Sequence, residues 1–247
     1  MRNQSIRGIV LRKRNIGEND QIVTIYSPPF GKFEASVKGS RKITSHFGGH
    51  LEILNICDFG VYSNGNRHTL TQCQCVNSFQ YLKNDLGLAM LTFQIAEIFY
   101  RMTPSDGHGE DLFILLVKTL TALDCEKKSL IMESFKIKLL NAAGALPEIS
   151  ECAECGKKWE DDNTILMDND GRMTCRSCAP FSANHEQISY NMIKLLKYLL
   201  RTDYEHIKKI NLSPKDQNCL KKISDILLHS YINHELKSEK IANRVLV

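Results

Sequence analysis

Much that would announce a function is missing from this sequence. No Gly-x-x-x-x-Gly-Lys-Ser/Thr loop is present to cradle a nucleotide triphosphate, and no Gly-x-Gly-x-x-Gly to seat a dinucleotide. The Gly-x-Ser-x-Gly elbow of a serine hydrolase is absent too. Nothing therefore points to ATP hydrolysis, hydride transfer or acyl transfer. The start, MRNQSIRGIVLRKR, has no apolar core of a secretory signal. The most apolar run, LGLAMLTFQIAEIF, is broken by Thr92, Gln94 and Glu97, so no segment reads as a membrane span. Internal repeats and low-complexity tracts are lacking as well. With 43% hydrophobic and 24% charged residues, the chain reads as an ordinary cytoplasmic protein of two domains.

Cysteine is the exception to this plainness. The chain has nine, an awkward odd number for a secreted disulfide framework. Four of them, Cys152, Cys155, Cys175 and Cys178, form two Cys-x-x-Cys knuckles separated by nineteen residues. Each knuckle turns two thiolates toward one point, and four convergent sulfurs suit tetrahedral Zn²⁺. Four protein ligands would close the coordination sphere, leaving no position for water or substrate, so the expected ion is a structural staple. Asn169-Asp170-Gly171 supplies a turn for a hairpin between the knuckles. Cys57, Cys73, Cys75, Cys125 and Cys219 read as small buried hydrophobes, although Cys73 and Cys75 would share one face of a strand.

Charge is distributed unevenly. Residues 1–50 carry nine Lys or Arg against three Asp or Glu, while the rest of the chain carries 23 against 25. A basic first fifth suggests a polyanionic partner, or equally a solvated surface.

Hydrophobic periodicity divides the chain at about residue 80. Before it, Ile6–Lys13, Gln21–Tyr26, Phe33–Lys38, Leu51–Tyr62 and Arg67–Phe79 read as strands, with turns at Gly17–Asp20, Pro28–Gly31, Gly48-Gly49 and Asn64–Asn66. Five short strands suit a small closed barrel, of the oligonucleotide-binding (OB) type or of an SH3-like type. After it, Asp85–Met102, Glu110–Leu123, Leu130–Ala143 and Ser189–Arg201 read as helices. Ser213-Pro214 opens a last helix that would run to about Leu236. The expected fold class is α+β: an OB-type barrel over 1–80, then a helical domain over 81–247 with a Cys₄ zinc hairpin at about 150–180. A polar insert of that length buries too little apolar surface to order itself, and metal binding would supply the difference.

Two cationic clusters mark the barrel. Arg12, Lys13 and Arg14 end the first strand; Lys38, Arg41 and Lys42 follow the third, around Gly39. Arg offers phosphate a bidentate fork and Lys a point charge. Tyr26, Phe30, Phe33 and Phe47 are interleaved with them, either to stack bases or to fill the barrel, the latter being expected of Phe33. His46 and His50 lack the helix and the Glu of a zinc-protease motif, and read as loop residues near phosphate.

Taken in order, several segments resemble one family: Ile9–Leu11, Gly17-Glu18-x-Asp20-x-Ile22-Val23, Gly31-Lys32, Val37–Lys42, Leu51-Glu52, the four knuckle cysteines and Leu236–Ser238. They look like RecO, the bacterial recombination mediator of DNA repair. The resemblance implies an OB barrel followed by a helical domain with zinc, and a nucleoid-associated, non-enzymatic protein. It implies binding of single- and double-stranded DNA, annealing of complementary strands, and partnership with RecR and the single-stranded-DNA-binding protein (SSB) to load RecA. Pro28-Pro29-Phe30 and the weakly basic Ile43–His46 depart from the family pattern. The rival readings are a protein–protein adaptor without DNA binding, and a hydrolase using His46, His50 and the acidic residues of the hairpin.

Overall fold

A computed structural model describes residues 2–105, 109–123, 128–161, 164–179, 185–232 and 236–238. Cys125 lies outside these residues. Packing divides the chain into two compact units, residues 1–124 with 236–247, and residues 125–235. The change from strand to helix near residue 80 therefore falls inside the first unit.

Five strands open the first unit: β1 (Arg2–Ile16), β2 (Asp20–Ser27), β3 (Gly31–Val37), β4 (Ile56–Asn64) and β5 (Arg67–Asn77). They close into a barrel in the order β1-β2-β3-β5-β4, with β3 and β5 parallel and the other neighbours antiparallel. This is an OB-like order, which decides between the two barrels the sequence allowed. Closure depends on β1 serving two partners. Its first half pairs with β4 from Arg2 to Ile9, and its second with β2 from Ile9 to Ile16. Gly8 stands just before that change of partner. A Cβ there would lie 2.7 Å from Ile25 and 2.9 Å from the Tyr26 carbonyl, so only glycine permits the approach.

Along β3, buried Phe33, Ala35 and Val37 alternate with the more exposed Lys32, Glu34 and Ser36, as period-2 patterning requires. They join Val10, Ile25, Phe59, Val61 and Leu70 in the barrel core. The fourth strand begins later than its sequence suggests. Leu51 and Leu54 are buried, but Leu54 has φ 64° and Asn55 hydrogen-bonds back to Val10, so residues 51–55 cross the barrel end as a turn. A run of apolar residues was legible there; the left-handed backbone was not.

Three helices complete the first unit: α1 (Gln80–Lys83), α2 (Leu86–Met102) and α3 (Glu110–Ala122). Asp85 caps α2 by accepting from the Leu88 N–H. Lys32 donates to the carbonyls of Tyr100 and Thr103, satisfying the orphan acceptors at the end of α2 and tying β3 to it.

The second unit is built around α4 (Lys128–Ala142), followed by β6 (Ile165–Met167), β7 (Met173–Cys175), β8 (Glu186–Ile188), α5 (Tyr190–Arg201), α6 (Tyr204–Ile207) and α7 (Pro214–Tyr231). Helix α4 is buried on nearly every side, including Glu133 and Lys136. Lys136 answers Glu133 at 2.8 Å and Asp225 of α7 at 2.6 Å, and Ser224 also donates to Glu133. Buried charges are tolerated only when paired in this way. Ser189 and Ser213 cap α5 and α7, with Pro214 at the first position of α7. Helix α7 ends at Tyr231, short of the Leu236 that its pattern allowed. Among the described residues, no helix is long and apolar enough to cross a membrane.

Candidate metal centre and nucleic-acid interface

The hairpin between the knuckles forms, with one addition. Strands β6 and β7 pair antiparallel, and β8 joins the free edge of β6 to make a three-stranded sheet. Its turn is built by Asp168, whose carboxylate accepts from the N–H groups of Asp170 and Arg172, while Gly171 takes φ 80°. Trp159 is buried and donates to the Ile149 carbonyl, anchoring the first knuckle.

This scaffold brings the sulfurs of Cys152, Cys155, Cys175 and Cys178 within 4.8 Å of one another. Four cysteines so placed could hold a metal ion. Their surroundings suit thiolates. Burial opposes ionisation of Cys152, but N–H groups of Cys155, Cys175 and Glu154 directed at its sulfur prevail and bring the thiol down to about 6. Cys178, hydrogen-bonded to Cys175 and Cys155 beside it, is pushed up to about 12. Without a cation, one negative charge at the centre makes the next unfavourable; a divalent ion would remove that penalty.

The basic clusters are brought together only in part. Asn15 pairs with Gln21, and Gln21 with Val37, so the end of β1, the start of β2 and the end of β3 lie side by side. Arg14, Lys38, Arg41 and Lys42 consequently share one end of the barrel, around the β1–β2 turn. The loop that carries the last three is fastened to that turn. Arg41 N–H bonds Asn19, the Arg41 guanidinium bonds the carbonyls of Gly17 and Glu18, and Gly39 N–H bonds Asp20. Gly39 takes φ 64° to make this possible. Arg12 and Lys13 go elsewhere: Arg12 toward the Tyr100 hydroxyl of α2, 3.4 Å away, and Lys13 to Glu52 at 2.6 Å.

Register also gives some of these cations carboxylate partners that spacing could not reveal. Arg14 meets Glu34 at 3.2 Å and Lys38 meets Asp20 at 2.7 Å. Lys38 and the Gly39 N–H hold the Asp20 carboxyl below the usual carboxylate range. Such exposed pairs add little to stability, so an incoming phosphate can displace them at small cost.

Two of the rings expected beside the cations are closed to stacking. Tyr26 is 2% exposed and donates to the Gly109 carbonyl, and Phe33 is part of the core. Phe30 and Phe47 pack partly against that core. His50 is structural as well: its Nδ1 accepts from the Cys75 N–H, and its carbonyl accepts from Asn55 and Cys57. Of the extra cysteines, Cys57 is buried, whereas Cys73, Cys75 and Cys219 are half-buried. Among the described residues, only the four knuckle cysteines form a group that could hold a metal ion.

Comparison with known proteins agrees with this architecture. The family "Recombination protein O N terminal" matches residues 1–79, and "Recombination protein O C terminal" matches residues 84–240. A protein of Dehalococcoides mccartyi named DNA repair protein RecO is 30% identical over 208 residues, covering 84% of this chain and 82% of the relative. The protein of that name from Desulfitobacterium hafniense is 25% identical, covering 96% and 88%. The one from Thermoanaerobacter is 25% identical over 99% of both chains. An OB-like barrel, a helical region and a four-cysteine centre thus accompany sequence similarity over nearly the whole length: the chain belongs to the recombination protein O family, whose relatives are named as DNA repair proteins.

Proposed function

We propose that this protein is a non-enzymatic recombination mediator that binds single- and double-stranded DNA and anneals complementary strands. The observation that carries the reading is the gathering of Arg14, Lys38, Arg41 and Lys42 at one end of an OB-like barrel, in a chain of this family. Arg12, two residues from Arg14 on the same face of β1, extends the cationic path, and Lys13, on the other face beside Glu52, is the sixth cation. These cations neutralise phosphates, so that two polyanionic strands approach one another without ATP. Base edges play no part, and the binding is tolerant of sequence. RecR and SSB are the protein partners of this reading, with RecA loaded at the end of the sequence of events.

The four-cysteine centre holds one structural Zn²⁺. All four ligand positions are filled by protein, so the ion orders the hairpin and performs no chemistry on a substrate. The residues themselves fit the ion, through the thiolate-directed N–H groups and the closeness of the sulfurs.

Contact with single-stranded DNA through all six cations gives a log K against log salt slope near about −4. Replacing Lys38, Arg41 and Lys42 by Glu flattens that slope and abolishes annealing. A wild-type slope near zero contradicts the reading. The second reading, a protein–protein adaptor, draws on the carboxylate partners of Lys13, Arg14 and Lys38. It predicts no salt-dependent DNA binding at all.

A further inference from the structure

The first unit contains a groove of about 360 Å³ that neither cationic cluster explains. It runs between β1, helix α2 and the segment 236–238. Its floor is apolar and buried, formed by Leu11, Met90 and Ala96. Phe93 stands on its wall with 52% of its surface exposed. Such exposure of a large ring beside a buried apolar floor is unfavourable in water unless something covers it.

The charges around the groove are of one effective sign. Arg12, Arg101 and Lys237 line it, against a single lining carboxylate, Glu97. That carboxylate is already saturated. It accepts from Arg101 at 2.6 Å, from the N–H groups of Lys237 and Ser238 at 3.0 and 2.8 Å, and from the Ser238 hydroxyl at 2.7 Å. An anion entering the groove therefore meets Arg12 and Lys237 without meeting an open carboxylate. Arg12 lies on β1 two residues before Arg14, so the groove continues the cationic path already described.

Few polar atoms on the lining remain to pair with a peptide. The Ser238 hydroxyl is committed to Glu97, and the Tyr100 hydroxyl accepts from Arg12. A peptide backbone laid here would leave buried N–H and C=O groups unpaired. A nucleobase is different, since its faces need only apolar or aromatic contact and its edges can remain in water.

We propose that this groove takes one unstacked nucleobase of single-stranded DNA, face-on against Phe93, with Arg12 and Lys237 on the flanking phosphates. The inference rests on the DNA-binding reading above and adds a base-stacking position to it. It also supplies an exposed ring, which the buried Tyr26 and Phe33 do not offer. With no base-edge readout, the position accepts any base, as annealing of arbitrary sequences requires.

The test is a cycle on the full chain. A thymidine oligonucleotide and the same oligonucleotide with abasic sites are titrated against wild type, Phe93→Ala and Phe93→Trp at one low salt concentration. Wild type is expected to bind the abasic strand about tenfold more weakly, within the range for loss of a stacked base. Phe93→Ala should bind both strands at that weaker level, and Phe93→Trp should restore the preference. The salt slope should be the same in all three, since no charge changes. If Phe93→Ala weakens both strands by one factor, or neither, the groove does not hold a base. Absence of salt-dependent binding of either strand by wild type instead overturns the DNA-binding reading, and the nucleobase assignment with it.

Discussion

The barrel and the cysteine hairpin reach order by opposite means. The barrel closes a hydrogen-bonded sheet on itself and fills it with apolar side chains alternating along five strands. Its order is distributed, and exchange of one surface cation changes little in it. The hairpin has three strands of three residues each, too few to stand alone. Its order converges on four sulfurs. A region of the first kind can spend its surface on binding, whereas a region of the second kind has its chemistry committed to holding itself together. On the proposed function, this contrast separates two kinds of site: replaceable cations on a rigid barrel, and indispensable thiolates in a small insert.

Breaking the hairpin should have the largest effect. Cys152→Ser with Cys155→Ser removes two ligands, and with them metal retention and hairpin order. Since structural zinc supplies on the order of 10 kcal/mol to small domains, a loss of at least about 4 kcal/mol is expected in the second unit. Metal content by mass spectrometry should fall from one zinc per chain to none, and a chelator should reproduce the effect in wild type. A variant with unchanged thermal unfolding and no metal would show that the sulfurs are not a staple.

The next effect sharpens the comparison within the second unit. Lys136→Met strands the buried Glu133 beside Asp225, and removal of one partner from a buried pair costs about 3–5 kcal/mol. Exchange of Lys136 and Glu133 together for apolar residues should recover most of it. Chemical denaturation of the single and double variants measures both. A single variant that loses less than about 1 kcal/mol would mean that the charges are hydrated.

A smaller effect is expected in the first unit at Glu97. Burial alone would raise its carboxyl, but hydrogen bonds from Ser238 and Lys237 and the Arg101 charge outweigh burial and lower it. The folded state therefore favours the carboxylate. The resulting stability is complete above the ordinary Glu value of about 4.5 and is lost as pH falls through the depressed folded value. With the side chain only partly buried, the contribution is about 1 kcal/mol. Glu97→Gln should unfold more easily than wild type at neutral pH, and the difference should vanish in acid. A difference that persists at low pH would assign the effect to packing.

Legibility in the sequence followed the same division. The four-cysteine cluster was readable because its members lie within 27 residues and their spacing is itself the geometry. Barrel strands were readable because half-buried strands alternate, and α2, α5 and α7 because a capping side chain marks each start. Helix α4 was readable over 130–143 as well, but nearly all of its faces are buried, so nothing in the pattern marked Glu133 and Lys136 as buried charges. Four-residue helices α1 and α6 carry too little pattern to detect. The partners of Lys13, Arg14 and Lys38 could not be foreseen, because they depend on strand register and loop path. The groove draws on β1, α2 and residues near 237, and nothing local connects them.

The measurement that bears most directly on the central claim is annealing of complementary labelled oligonucleotides, without ATP, across a salt series. Wild type is compared with the Lys38/Arg41/Lys42→Glu variant, the fold of both being checked by circular dichroism. The account predicts that wild type binds and anneals with a slope near about −4, and that the folded variant loses annealing and about half of the slope. A folded variant that anneals as wild type does would contradict the placement of DNA at this end of the barrel. Wild-type protein that binds no DNA at low salt would contradict the mediator reading as a whole.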